Sequence, residues 1–157
     1  MDTQSIYHLA LVTHIIGLTL MAGATVTAYI AFKQFWKAYA LDNLGAVTIQ
    51  QAISKFSKLF SIGILLLILS GITMMGITNG VFGEQLWFRI KFALVILVII
   101  NGLIMGMRQG VKLRKFLASH TNDSVQAQRL KRNLNVFHIS QMALFFIIYI
   151  LSVFKFN

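Results

Sequence analysis

Residues 3–32 contain no Asp, Glu, Lys or Arg. A mostly apolar run of this length exceeds what soluble cores bury, and it crosses a bilayer once with some tilt. Near its middle stands His14. An ionisable side chain at membrane depth is costly without a partner, so His14 is a functional candidate. On a helix, His14, Gly17, Met21, Thr25 and Ala28 share one stripe. The stripe is mostly small, so either a neighbouring helix or a flat cofactor can approach it closely.

The rest of the composition agrees. Of 157 residues, 57% are hydrophobic and 11% charged, against about a quarter charged in soluble domains. An all-α, four-helix transmembrane bundle forming a single integral membrane domain is the fold expected. The first five residues lack the positive segment of a cleavable signal peptide. The chain has no Cys, which excludes disulfides, covalent haem attachment and thiolate-held iron–sulfur or zinc. It also has no Pro, which disfavours a transporter built on broken helices.

Four spans are expected at 6–32, 56–77, 86–107 and 134–154. Trp36 and Tyr39 read as boundary residues after the first. Residues 42–45 read as a loop, and Thr48 with Gln51 fits a capping box that starts the second helix near Ile49. Asn79-Gly80 reads as a tight turn. The third helix should begin near Gln85, with Trp87 as boundary anchor, and run to about Ser119. Gly102, Gly106 and Gly110, spaced by four, predict close helix packing. His120 falls in the next loop, where Asp123 can cap the fourth helix. The inward stripe there is read as His138, Met142, Phe145, Tyr149 and Ser152.

The connection after the first span carries Lys33, Lys37, Lys55 and Lys58. The connection after the third carries Arg108, Lys112, Arg114, Lys115, Arg129, Lys131 and Arg132. These are eleven of the fourteen basic residues. The positive-inside rule puts both connections in the cytoplasm and both termini on the outer, periplasmic side of a bacterial inner membrane. The net charge of +10 is then matched to anionic lipid headgroups at the cytoplasmic face rather than to nucleic acid.

Among candidates for chemistry, His14 lies about 12 Å and Lys91 about 8 Å below the outer hydrocarbon boundary, so the two can share a layer. Lys91 can instead snorkel to the boundary, and His14 can instead hydrogen-bond a Ser or Thr such as Ser70. His138 enters from the opposite face, too far from His14 to share one iron. The seven Met residues are spread over several depths and read as packing. The carboxylates are only Asp2, Asp42, Glu84 and Asp123, none paired for acid–base work.

The run from His14 to Gly23-Ala24 resembles the first helix of the copper-resistance D-like (CopD-like) and HemJ-like (protoporphyrinogen oxidase-like) four-helix membrane families. Lys55 to Ser70-Gly71 is similar to the CopD-like second helix, and Trp87-Phe-Arg-Ile-Lys91 to the third helix of both. The chain departs from them at Met21, at Ala31-Phe32-Lys33 and around Asn101-Gly102. The resemblance covers about the first two-thirds of the chain. It implies a four-helix bundle. From the HemJ-like side it also implies b-type haem in the outer half of the bundle, with His14 as an axial metal ligand and Lys91 as a second essential, cofactor-binding group. If the protein is an enzyme, an oxidoreductase is implied. Two other readings stay open: an accessory or assembly subunit of a larger membrane complex or homo-oligomer, and a copper-handling or transport protein.

Overall fold

The computed structural model describes residues 2–41, 43–119 and 124–154. Within them the chain forms four long helices and no strand. These are α1 Thr3–Leu41, α2 Asn43–Ile77, α3 Leu86–Ala118 and α4 Ser124–Val153. All four are long and apolar enough to cross a membrane. They alternate in direction, so the two chain ends share one end of the bundle with the α2–α3 turn. The opposite end, rich in Lys and Arg, is the basic end.

Large apolar side chains point outward along every helix, Ile72 at 66% and Phe146 at 67% exposure among them. Left in water, such surface would forfeit about 25 cal/mol per Å2. Facing lipid, it forfeits nothing. The chain is a multi-pass membrane protein on this ground.

At 39 residues, α1 is about 58 Å long, roughly twice the hydrocarbon thickness of about 30 Å. The excess is not loose. At the basic end Phe32, Phe35, Trp36, Ala46, Leu113, Phe116, Leu130 and Leu134 form a buried cluster with contributions from all four helices. Trp36 and Tyr39 therefore pack against a core rather than facing lipid. Tyr39 lies against Phe35 and Phe116. The same cluster explains the early start of α2. Ala46 is fully buried in it, so the chain is already helical from Asn43. Thr48 lies inside the helix, and the capping-box start near Ile49 does not form. Gly45 is helical, while Asp42, His120 and the expected Asp123 cap lie outside the described residues.

A second cluster, nearer the chain ends, joins Met21, Leu67, Val98, Phe145 and Ile148. Between α2 and α3, Asn79 (φ 49°) and Gly80 (φ 74°) take the left-handed conformation that terminates helices. The Gly80 N–H donates to the Met75 carbonyl at 3.0 Å. A 3-10 turn, Val81–Glu84, follows, and α3 begins one residue after Gln85. The Arg89 Nε donates to the Gly83 carbonyl at 2.9 Å, and the Trp87 indole donates to Gln85 at 2.5 Å. Trp87 is buried, so it ties the turn to the helix instead of anchoring in lipid.

Two departures from regular, evenly facing helices shape the interior. Asn101–Gly106, in the middle of α3, is π-helical. On α4 the buried stripe is His138, Gln141, Phe145, Ile148 and Leu151, with Tyr149 exposed. The inward face is rotated from the expected one because the lipid-facing side is as apolar as the core.

Candidate functional site

The closest packing in the bundle is between α1 and α2. A Cβ on Gly17 would lie 3.0 Å from the Gly63 carbonyl oxygen and from the Leu67 nitrogen. A Cβ on Gly63 would lie 2.6 Å from Met21 Cγ and 2.8 Å from the Gly17 oxygen. The small stripe on α1 is thus filled by α2 as far as Met21, and the space expected beside Gly17 does not exist.

One turn nearer the chain ends, His14 Nδ1 meets Ser70 Oγ at 3.0 Å. The Ser70 hydroxyl also lies 2.6 Å from its own Leu66 carbonyl, which can only accept. Its single proton goes there, so the hydroxyl oxygen accepts from His14 Nδ1–H. That fixes the tautomer and leaves Nε2 with its lone pair. Gly71 leaves room for the ring, since a Cβ there would sit 3.7 Å from His14 Cε1. Lys91, on α3, is near enough for its charge to act on the imidazole.

The space lies further along. Beyond Met21 the stripe on α1 continues as Ala24, Thr25 and Ala28, and these line a cavity of about 530 Å3 in the basic half of the bundle. Its α2 wall carries Ser54, Ser57 and Ser61, and its α3 wall Gly102, Gly106 and Gly110. His138 and Gln141 close it from α4, while Lys58 and Arg114 lie towards the basic end. Ser57, Lys58 and Ser61 are exposed as well as cavity-lining, so the cavity opens sideways between α2 and α3.

The three glycines meet rings or open space rather than backbone. A Cβ on Gly102 would lie 2.7 Å from the Phe60 ring, and one on Gly106 3.2 Å from Phe137, while Gly110 has nothing within 4 Å. The π-helical turn beside them is held by α4. Asn101 Nδ2 donates to Gln141 Oε1 at 2.6 Å, and Gln141 Nε2 donates to the Val98 carbonyl at 3.1 Å. π-turns inside α-helices recur at functional sites.

His138 differs from Gln141. It is 5% exposed and packs between Phe32, Tyr29 and Phe137, with ring centroids 5.1, 5.9 and 5.0 Å away. Among the described residues no group hydrogen-bonds its nitrogens. A buried imidazole normally finds such a partner, so one on a cavity wall is equipped to bind a ligand. His14 and His138 are separated by the rise from His14 to Phe32 on α1, about 27 Å, and cannot share a ligand atom. Among the described residues no three His or carboxylate side chains converge.

Sequence reasoning missed the cavity, Gln141 and the π-turn. Ser54, Ser57 and Ser61, at helical spacing on an apolar helix, were the available signal. No protein-family model, curated protein or solved structure matches the chain.

Proposed function

We propose that the protein binds a carboxylate-bearing tetrapyrrole, b-type haem being the simplest case, in the cavity of the basic half. One observation carries the reading: His138 is a buried imidazole without a hydrogen-bond partner among the described residues, on the wall of a cavity of about 530 Å3. Pockets for small organic ligands span about 300–1,000 Å3. The lining fits the chemistry. Alanines and glycines accept a flat apolar body, the imidazole is a ligand for iron, and Lys58 and Arg114 are counter-charges for carboxylates. Haem bound there would supply one-electron transfer. The HemJ-like side of the resemblance implies the same ligand class, with His14 as its axial ligand.

His14 keeps a second reading alive. With Nδ1–H given to Ser70, Nε2 is oriented as metal-bound histidines are, and Lys91 is nearby. This is the outer-half site expected from the sequence.

The two readings separate under mutation. Protein purified in mild detergent from haem-sufficient cells should show a Soret band. His138→Ala should abolish or shift it and His14→Ala should leave it intact; the opposite pattern selects the outer site. A folded wild-type protein without visible absorption sinks both, and makes an accessory subunit of a larger membrane complex the better reading. The proposed orientation puts the basic end in the cytoplasm of a bacterial inner membrane and both termini outside. Reporter fusions after Gly45 and after Asp123 should both report cytoplasm.

A further inference from the structure

A second cleft lies at the basic end, on the side where α1 faces α4, with a volume of about 700 Å3. Lys33 and Lys37 line it from α1, Lys131 and Arg132 from α4, and Trp36 forms part of its wall. Lys33 and Lys37 are one turn apart, and Lys131 and Arg132 are adjacent, so the four cations form two pairs on opposing helices. None has a carboxylate partner among the described residues. Two are held in place by aromatic faces: Lys33 Nζ is 4.6 Å from the Tyr29 ring centroid and Lys131 Nζ 6.0 Å from Trp36.

Four like charges converging without a counter-charge repel one another, unless an anion is shared between them. The position of the cleft narrows the anion further. Lys33 is the first charge after the uncharged run of α1, so the cleft sits where hydrocarbon gives way to headgroups. Deeper on the same two helix faces, one turn from Lys33 and two turns from Arg132, Ile30 and Ile139 are exposed and continue the surface into the acyl region. A free phosphate would use the cations alone; a phospholipid uses both.

We propose that this cleft is a binding site for an anionic phospholipid carrying two phosphates, of the cardiolipin class. One phosphate lies at the Lys33/Lys37 pair and the other at Lys131/Arg132, with the acyl chains along Ile30 and Ile139. Basic pockets between membrane helices are suited to such headgroups. The site lies between α1 and α4, shares only Phe32 with the tetrapyrrole cavity, and does not depend on that reading.

The test is native mass spectrometry of the full chain in detergent, titrated with oleoyl cardiolipin, oleoyl phosphatidylglycerol, oleoyl phosphatidylcholine or inorganic phosphate. Cardiolipin should bind most tightly and phosphatidylcholine least. Lys131→Gln with Arg132→Gln should weaken cardiolipin about 25-fold, at the usual worth of each basic residue against an anionic lipid. Both side chains are exposed, so the double variant should keep the wild-type melting temperature in lipid-free detergent. The control Arg108→Gln with Lys112→Gln, on α3, should bind as wild type does. Phosphatidylcholine binding as tightly as cardiolipin, or an equal loss in the control, overturns the site. Phosphatidylglycerol equal to cardiolipin overturns the two-phosphate assignment, and displacement of cardiolipin by inorganic phosphate at equal concentration overturns the lipid in favour of a free anion.

Discussion

The His14 imidazole and the Ser70 hydroxyl, 3.0 Å apart across α1 and α2, form a relay that ends on the Leu66 carbonyl. Hydrogen bonds between membrane helices are worth only about 0.6 kcal/mol on average and rarely exceed about 1.7. A double-mutant cycle over Ser70→Ala and His14→Phe should therefore return a coupling of roughly 0.6–1.7 kcal/mol. Ser70→Ala alone should lower the melting temperature, because it leaves a ring N–H without its acceptor. A coupling of zero would mean that the two groups do not bond in the membrane.

Gly63 and Gly23 should respond oppositely to the same substitution. Gly63→Ala puts a methyl group against the α1 backbone, where nothing can move aside, and overpacking of this kind costs about 1–3 kcal/mol. At Gly23 a Cβ meets nothing within 4 Å, and Gly23→Ala should be neutral or stabilise by up to about 1 kcal/mol through helix propensity. Thermal unfolding in detergent reads both. Equal effects would mean that α1 and α2 do not meet at Gly17 and Gly63.

Gln141 is 1% exposed and serves two partners on α3. Gln141→Leu removes the nearer acceptor of Asn101, leaving Ser140 Oγ at 3.3 Å, and a donor to the Val98 carbonyl, for a loss of about 1–3 kcal/mol. Asn101→Leu on top of it should recover part of that loss, since the Asn101 amide that lost its nearer acceptor is then gone. A double variant less stable than Gln141→Leu alone would show that Asn101 has another role in the π-turn.

Four membrane helices were legible because charge is excluded from lipid, and sixteen uncharged residues at 92–107 leave few alternatives. The Asn79-Gly80 stop was legible for a different reason, since few other residue pairs tolerate positive φ. The direction in which each helix faces was not legible. Met142 and Tyr149 looked inward by spacing, yet Gln141 and Ile148 do, because periodicity identifies a buried face only when the opposite face is polar. Thr48 misled because a local cap was outweighed by burial of Ala46 in a core built from four distant segments. His14 was legible as a partnered polar group, and Ser70 was the right alternative partner. The space thought to lie beside Gly17 belongs instead to Ala24, Thr25 and Ala28, and only the path of α2 reveals that.

At the start of α1, Asp2 Oδ1 accepts the Ser5 N–H at 3.2 Å. The Ser5 hydrogen bonds hold its carboxyl below the usual carboxylate range. A folded pKa that is depressed gives stability present above the unfolded value and lost as pH falls through the folded one. Amide exchange at Ser5 should accelerate relative to the α1 interior across that acidic window, and Asp2→Ala should show the faster exchange at neutral pH already. Exchange at Ser5 that is equally fast in both proteins at neutral pH would remove the cap.

The π-helical turn at Asn101–Gly106 is, in terms of chain length, one residue more than an α-helix needs. Each residue turns a helix by about 100°, so everything beyond the turn is rotated relative to an uninterrupted α3. Gly110, Val111 and Arg114 line the cavity in that rotated frame. Removing one residue from 101–106 would restore a regular helix and swing Arg114 round to another side, while every side chain from Leu86 to Ile100 kept its place. The loss or gain of a single codon, rather than any substitution, is therefore the genetic event able to exchange the face that α3 turns towards the cavity.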